Sequence, residues 1–375
     1  MSEKKGRRKF INKLAAIGAG TVIAPALAYT NSETKKTTWK IKNIAPMGFQ
    51  WNTLDPFLFC VHHEDNFPKG NNHMGPQDDL TGRNIGSDFV IKDGYRMYHG
   101  KNVPGFPGHP HRGFETVTVV RDGIVDHSDS LGASGRYGNG DVQWMTAGKG
   151  VNHAEMFPLL NQNENNSLEL FQIWLNLPAK KKMVNPDYKM LWDEKIPKHL
   201  HTDQNNHITS VEVIAGNIKN DTAPLPPENS WARDVKNEVA IWNIMMDANA
   251  EFQIPKGSPN LNRTIYIYDS EKVSVDGQEI KNYHSVQLNS AENITIKNIG
   301  KQSKILLLQG KPINEPVVQH GPFVMNTKEE IKQTFEDYQK TQFGGWPWKT
   351  YEQVHDRNIK RFARFADGSK ENPST

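Results

Sequence analysis

The chain has 375 residues, 36% hydrophobic and 23% charged, with a formal net charge of +3. That composition excludes wholesale disorder and leaves room for two domains of ordinary size. A mean hydropathy of −0.69, with no uninterrupted apolar run of about 18 residues, excludes a membrane-spanning body.

The positive charge is concentrated at the start of the chain. Lys4, Lys5, Arg7, Arg8, Lys9 and Lys13 against Glu3 give residues 1–28 a net charge of +5 and, from the overall +3, leave −2 on the remainder. A phosphate-binding footprint is therefore absent from the body, and no nucleic-acid partner is expected. Residues 1–28 combine a basic head, an apolar middle from Leu14 to Ala24 and the small-residue site Ala26-Leu27-Ala28, the pattern of a signal peptide. Arg7-Arg8 before a moderately apolar stretch containing Gly18 and Gly20 predicts export by the twin-arginine route, to the periplasm or beyond. That route carries folded proteins, often already loaded with a metal.

After a polar linker from about Tyr29 to Lys36, and as far as about Gly310, short runs of Val, Ile, Phe and Trp alternate with Gly, Asn, Asp and Pro clusters. This rhythm predicts an all-β sandwich or barrel in two halves of similar strand content. The clearest strands are Thr116–Val120, Leu170–Leu175, Val211–Ile214, Thr264–Tyr268 and Ile305–Leu308. The single cysteine, Cys60, lies in an apolar run, forms no internal disulfide and reads as a buried small hydrophobe rather than a nucleophile. Asn66 to Asn102, rich in Asn, Gly and Asp, reads as a long loop leading into the His109 strand and is expected to form a lid over the mouth of the first barrel. Lys180-Lys181-Lys182 reads as a solvated turn.

Thr327 and Glu330 have capping-box spacing, and Ile331, Phe335 and Tyr338 recur at helical intervals, so a helix is predicted from near Asn326. The tail beyond Gly344-Gly345 carries Trp346 and Trp348 and then basic residues, compatible with docking on the body or with standing free. The expected division is a signal at 1–28, a first domain at 37–180, a second at 181–326, and a helix with tail at 327–375.

Chemistry concentrates in two segments. His109 and His111 are two apart, so on a strand both imidazoles leave one face, and Glu115 has the same parity. Some forty residues later His153 and Glu155 repeat the spacing on a second predicted strand. Two such antiparallel strands can converge four N and O donors on one cation. Neutral imidazoles with one carboxylate suit Fe(II), Mn, Co, Ni, Cu or Zn and suit Ca or Mg poorly. Phe106, Phe114, Trp144 and Met145 are candidates for a pocket wall, or for plain barrel core. His199-Leu200-His201 is a second pair without a later His-x-Glu partner.

The segments "HPHRGFET" and "GDVQWMTAGKGVNHAEM" resemble the pirin family of the cupin superfamily, and the resemblance continues in "LDPFLFC", "FQIWLNLPAKKKMVNP" and "EPVVQHGPFVMNTKEEI". It implies a bicupin, two β-sandwich barrels with a short C-terminal helix and one metal in the first barrel. It further implies that His109, His111, His153 and Glu155 are the ligands, with Glu115 as an outer neighbour or alternative ligand and Fe(II) the first expectation. The activity implied is a quercetin 2,3-dioxygenase type of oxidation, using O2 and a small aromatic substrate, with Glu155 accepting the substrate proton. The alternative is a non-catalytic metal-binding or redox-sensing protein that binds a protein partner. The export signal, the Asn66 to Asn102 insertion and the longer tail depart from the family pattern.

Overall fold

Strands with apolar residues on both faces need cover on both sides, and a pair of stacked sandwiches supplies it. The computed structural model describes residues 39–373; the predicted export signal lies outside the described residues. Eleven strands come first: β1 (Ile41–Pro46), β2 (Gln50–Trp51), β3 (Phe57–Phe67), β4 (Gly105–His111), β5 (Phe114–Asp122), β6 (Ile124–Asp129), β7 (Ser134–Gly138), β8 (Val142–Thr146), β9 (Val151–Met156), β10 (Asn166–Asn176) and β11 (Asp187–Leu191). One six-stranded sheet runs β11-β8-β5-β10-β3-β2, and its partner runs Lys370–Glu371, Phe362–Arg364, β7, β6, β9, β4.

The second barrel has a seven-stranded sheet in the order β1, His284–Leu288, Asn262–Asp269, Ser303–Gly310, Ala240–Met246, Ile208–Ala215 and Lys198–Thr202, with a four-stranded sheet centred on Ile294–Asn298 and Val273–Val275. The fold is thus an all-β bicupin, and every strand singled out in the sequence is present.

The two units exchange strands. β1 pairs with His284–Leu288 of the second barrel, and Phe362–Arg364 returns to pair with β7 of the first. β11 also extends the first barrel's sheet past residue 180. A division by chain position at residue 181 is therefore crossed in both directions.

The barrels meet back to back. Alternation on β5 sends Val117 and Val119 towards the second barrel, where they join Cys60, Trp144, Phe171 and Ile173 against Ile241, Tyr266, Tyr268 and Leu306. Cys60 is fully buried and burial pushes its thiol pKa well up, as befits an inert core residue. Trp144 belongs to this joint and Met145 to the interior core beside Tyr188 and Met190, so neither pocket assignment for these two residues holds. Their strand has one face turned to the neighbouring barrel, a fact invisible in a local pattern.

The helix α1 (Lys328–Thr341) starts at Thr327 with both bonds of the capping box formed. Beyond it the tail docks. Arg136 donates to the carbonyls of His355, Asp356 and Ile359, Arg357 donates to those of Leu159 and Asn71, and Trp348 donates to that of Asp129. Lys182, far from a solvated turn, is buried and donates to the carbonyls of Gly113 and Val324 and to Asn176 Oδ1, and burial lowers its pKa to about 8.

The Asn66 to Asn102 segment differs from the expected lid. Tyr95, Met97 and Tyr98 are buried in the interior core with Phe67 and Val120, and Arg96 pairs with Asp65 on β3 at 3.0 Å. Its inner half is core, while Val90 and Ile91 on the outer half are exposed. A flap must be able to leave its seat, and these aromatic residues cannot leave without opening the barrel.

Candidate metal centre

β4 and β9 are neighbours, antiparallel, with His109 opposite His153. This register brings the two predicted pairs together. One donor atom from each of His109, His111 and His153 lies within 4.8 Å of the others, and this is the only such group of three or more metal-ligating side chains among the described residues. All three rings are buried, His153 completely.

The contacts select a tautomer. His109 Nδ1 donates to the Pro107 carbonyl at 3.1 Å, which leaves its Nε2 with a lone pair facing His111 Nε2 at 3.1 Å. Two nitrogens bound to one metal at right angles, each about 2.1 Å from it, stand about 3 Å apart. Neither ring nitrogen of His153 has a hydrogen-bond partner among the described residues, an expensive arrangement unless a ligand completes it. Burial, and then the neighbouring histidines, hold the His153 pKa well below the usual range, and burial lowers His109 to about 4. Neutral imidazoles with converging lone pairs fit a divalent transition metal.

Glu155 stands beside this group. Its Oε2 is 3.7 Å from His153 Nε2 and accepts a hydrogen bond from Gln172 at 2.7 Å, while its Oε1 meets the Thr118 hydroxyl at 2.8 Å. Burial raises its pKa, against the lowering effect of Thr118.

Glu115 is elsewhere. Its carboxylate accepts hydrogen bonds from Thr146 and Ser230, each at 2.7 Å, at the joint between the barrels. Shared parity with the histidines fails because the chain leaves one sheet after His111 and enters the other at Phe114. Gly113, with φ of 86°, makes the corner, and an added Cβ there would meet the Val324 carbonyl oxygen.

Aromatic residues flank the triad. The Phe106 ring centroid is 6.3 Å from that of His109, and Phe114 and Trp174 lie 5.1 and 5.4 Å from His111. Phe59 packs on Trp174 at 4.9 Å. Sequence reading missed Phe59, Thr118, Gln172 and Trp174, although alternation on β10 could have placed Gln172 and Trp174 on one face. It also missed His127, buried 5.5 Å from the His153 ring. His199 and His201 make no such cluster: His199 Nδ1 pairs with Asp221 at 2.7 Å and His201 packs on Phe252.

Comparison with known proteins matches residues 40–175 to the pirin family model and residues 241–344 to the pirin C-terminal cupin domain. Human pirin is 35% identical over 277 residues, 70% of this chain and 85% of its own length. A pirin-like protein of Caulobacter vibrioides is 36% identical over 239 residues, 64% and 80% of the two chains. A Pseudomonas aeruginosa protein provisionally named a quercetin 2,3-dioxygenase is 35% identical over 242 residues, 64% and 79%. The crystal structure of a quercetin 2,3-dioxygenase from Acinetobacter baumannii superposes with a TM-score of 0.61 at 25% identity, covering 82% of this chain and 96% of that one.

Proposed function

The chain belongs to the pirin family, and from that premise we propose that it is an iron(II)-dependent dioxygenase that opens a flavonol-like aromatic substrate with O2. The carrying observation is the buried triad of His109, His111 and His153 set among Phe106, Phe114 and Trp174. Aromatic walls around a few polar groups suit a flat, hydroxylated ring system. Relatives named for quercetin 2,3-dioxygenase activity support the same reading.

The three histidines would hold the metal, with the Glu155 carboxylate as fourth ligand. When bound, the metal supplies Lewis acidity that favours the deprotonated substrate. The rest falls to the chain. Phe106, Phe114 and Trp174 orient the substrate and exclude water. Thr118 and Gln172 hold the Glu155 side chain at a fixed angle, from which its carboxylate would take a proton from a substrate hydroxyl.

The test is metal analysis of the exported protein followed by oxygen uptake with a panel of flavonols and catechols. Uptake that depends on His153 is expected. A metal-loaded chain that consumes no oxygen with any of them would return the site to a metal-binding or redox-sensing role with a protein partner. Export by the twin-arginine route is part of the same proposal, supported by Arg7-Arg8 and Ala26-Leu27-Ala28. Lysine at both arginines is expected to keep the chain in the cytoplasm. Among the described residues, no helix is long and apolar enough to cross a membrane.

A further inference from the structure

The aromatic side chains beside the triad also adjoin His63, a buried imidazole that the proposed chemistry leaves unused. Phe59, Val61 and His63 share one face of β3, because side chains alternate along a strand. At one end of this row Phe59 packs on Trp174, which adjoins His111. At the other end His63 meets the Phe106 ring edge-on at 5.9 Å, and the same ring is 6.3 Å from that of His109. His63 and the triad therefore adjoin the same phenyl ring.

The proton on His63 has a determined position. Asp65 Oδ1 accepts from the backbone N and Nε of Arg96, at 2.8 and 3.0 Å, and Asp65 Oδ2 accepts from the Tyr98 hydroxyl at 2.5 Å. With its one proton committed to Asp65, the Tyr98 oxygen can only accept, so the 2.9 Å contact has His63 Nδ1 donating to Tyr98. The proton then sits on Nδ1, and Nε2, which makes no hydrogen bond among the described residues, carries the lone pair. Burial, followed by the Arg96 charge, keeps the ring neutral at physiological pH.

We propose that His63 is a specificity-determining residue whose Nε2 accepts a hydrogen bond from a hydroxyl on the edge of the aromatic substrate remote from the metal, with Tyr98 and Asp65 as its positioning residues. The inference rests on the flavonol-type reading of the site and names the substrate class within it: rings carrying a hydroxyl at the far end. Tyr98 comes from the Asn66 to Asn102 insertion, so that segment contributes to the site by fixing a tautomer rather than by closing over it. A site with a committed acceptor discriminates against a ring that lacks the donor, because its polar atom is then left unpaired.

The experiment uses the full chain loaded with zinc, a redox-silent occupant, and titrates it without oxygen against two flavonols. One bears a catechol as its pendant ring and the other an unsubstituted phenyl. The wild type is expected to prefer the catechol by about tenfold, the size of one net hydrogen bond at the upper end of its range. Tyr98→Phe, which removes one oxygen and keeps the packing, and His63→Ala should bring that ratio close to one while changing affinity for the unsubstituted flavonol less than about twofold. His63→Gln, which retains an acceptor, should restore part of the preference. If His63→Ala fails to fold, Tyr98→Phe and His63→Gln decide the matter. A wild type that binds both flavonols equally, or a preference undiminished in Tyr98→Phe, overturns the role of His63 and leaves the flavonol reading standing. A wild type that binds neither overturns that reading and this one with it.

Discussion

Between the sheets of the second barrel lie Trp242, Ile244, Met246, Ile265, Ile267, Ile296, Ile305 and Leu307, a mainly apolar cluster. At the equivalent depth the first barrel holds His109, His111, His127, His153, Glu155 and Thr118, nearly all without exposure to solvent. One architecture thus tolerates both fillings. The apolar one is self-sufficient, since burial of each large side chain stabilises by roughly 1.5–3 kcal/mol. The polar one is not, since an unpaired buried polar group costs about 1–3 kcal/mol. A barrel that keeps such groups gains from a further partner, and the converging imidazoles are of a kind that could hold a metal ion.

The sharpest way to break this contrast is to remove ligands from each barrel in turn. His111→Ala or His153→Ala should reduce bound metal from equimolar to below about a tenth, with circular dichroism unchanged, whereas His199→Ala should leave metal content as it was. Glu155→Ala should also lose metal and Glu115→Ala should retain it; the reverse result would overturn the choice of carboxylate. Stoichiometric metal in both histidine variants would remove the distinction between the barrels.

A polar residue placed in the second barrel probes the other side. Ile244→His should destabilise the chain by about 3–5 kcal/mol in denaturant unfolding, because it sets a polar ring among these tightly packed apolar side chains. A cost below about 1 kcal/mol would mean that the second barrel accepts polar groups as readily as the first.

The joint between the barrels is the third test. Burial raises the Glu115 pKa to about 7, above its ordinary 4.5. The folded chain therefore binds this proton more tightly than the unfolded one, a contribution fully present below about pH 4.5 and lost as pH rises through 7. Glu115→Gln keeps the shape and removes the titration. The variant's stability relative to wild type should accordingly improve between pH 4 and pH 8, by an amount on the order of 3 kcal/mol. A pH-independent difference would show that Thr146 and Ser230 satisfy the carboxylate fully.

The smallest effect concerns the metal-free protein. His153→Leu replaces a ring with two unpartnered nitrogens by an apolar group, so the metal-free variant should be more stable than metal-free wild type by about 1–2 kcal/mol. A loss of stability instead would show that the polar interior supports itself.

Much of this was legible in residue order. The strands around Thr116–Val120 and Ile305–Leu308 were readable because alternation and β-branched residues act locally, and Thr327 with Glu330 announced the helix through a contact three residues long. The His-x-His and His-x-Glu pairs were legible for the same reason. Glu115, kept behind Glu155 as an outer neighbour or alternative ligand, lies away from the triad because parity holds only within one strand, and the corner at Gly113 moves the chain to another sheet. Lys182 was misread because its three neutral acceptors come from Gly113, Asn176 and Val324, and residue order puts two of them far away.

Sequence by itself thus determined the strand content, the two-barrel class and the identity of three converging imidazoles, all of which follow from spacing along one or two neighbouring strands. Only the tertiary structure decided that Glu115 turns away to the joint, that Trp144 serves the joint and Trp174 adjoins the triad, and that the insertion is core where it meets Asp65. It also decided that β1 and Phe362–Arg364 exchange places between the barrels. Each of these depends on which face of a strand meets which neighbouring sheet, and that is settled when the sheets pack against one another, by contacts between residues tens to hundreds of positions apart.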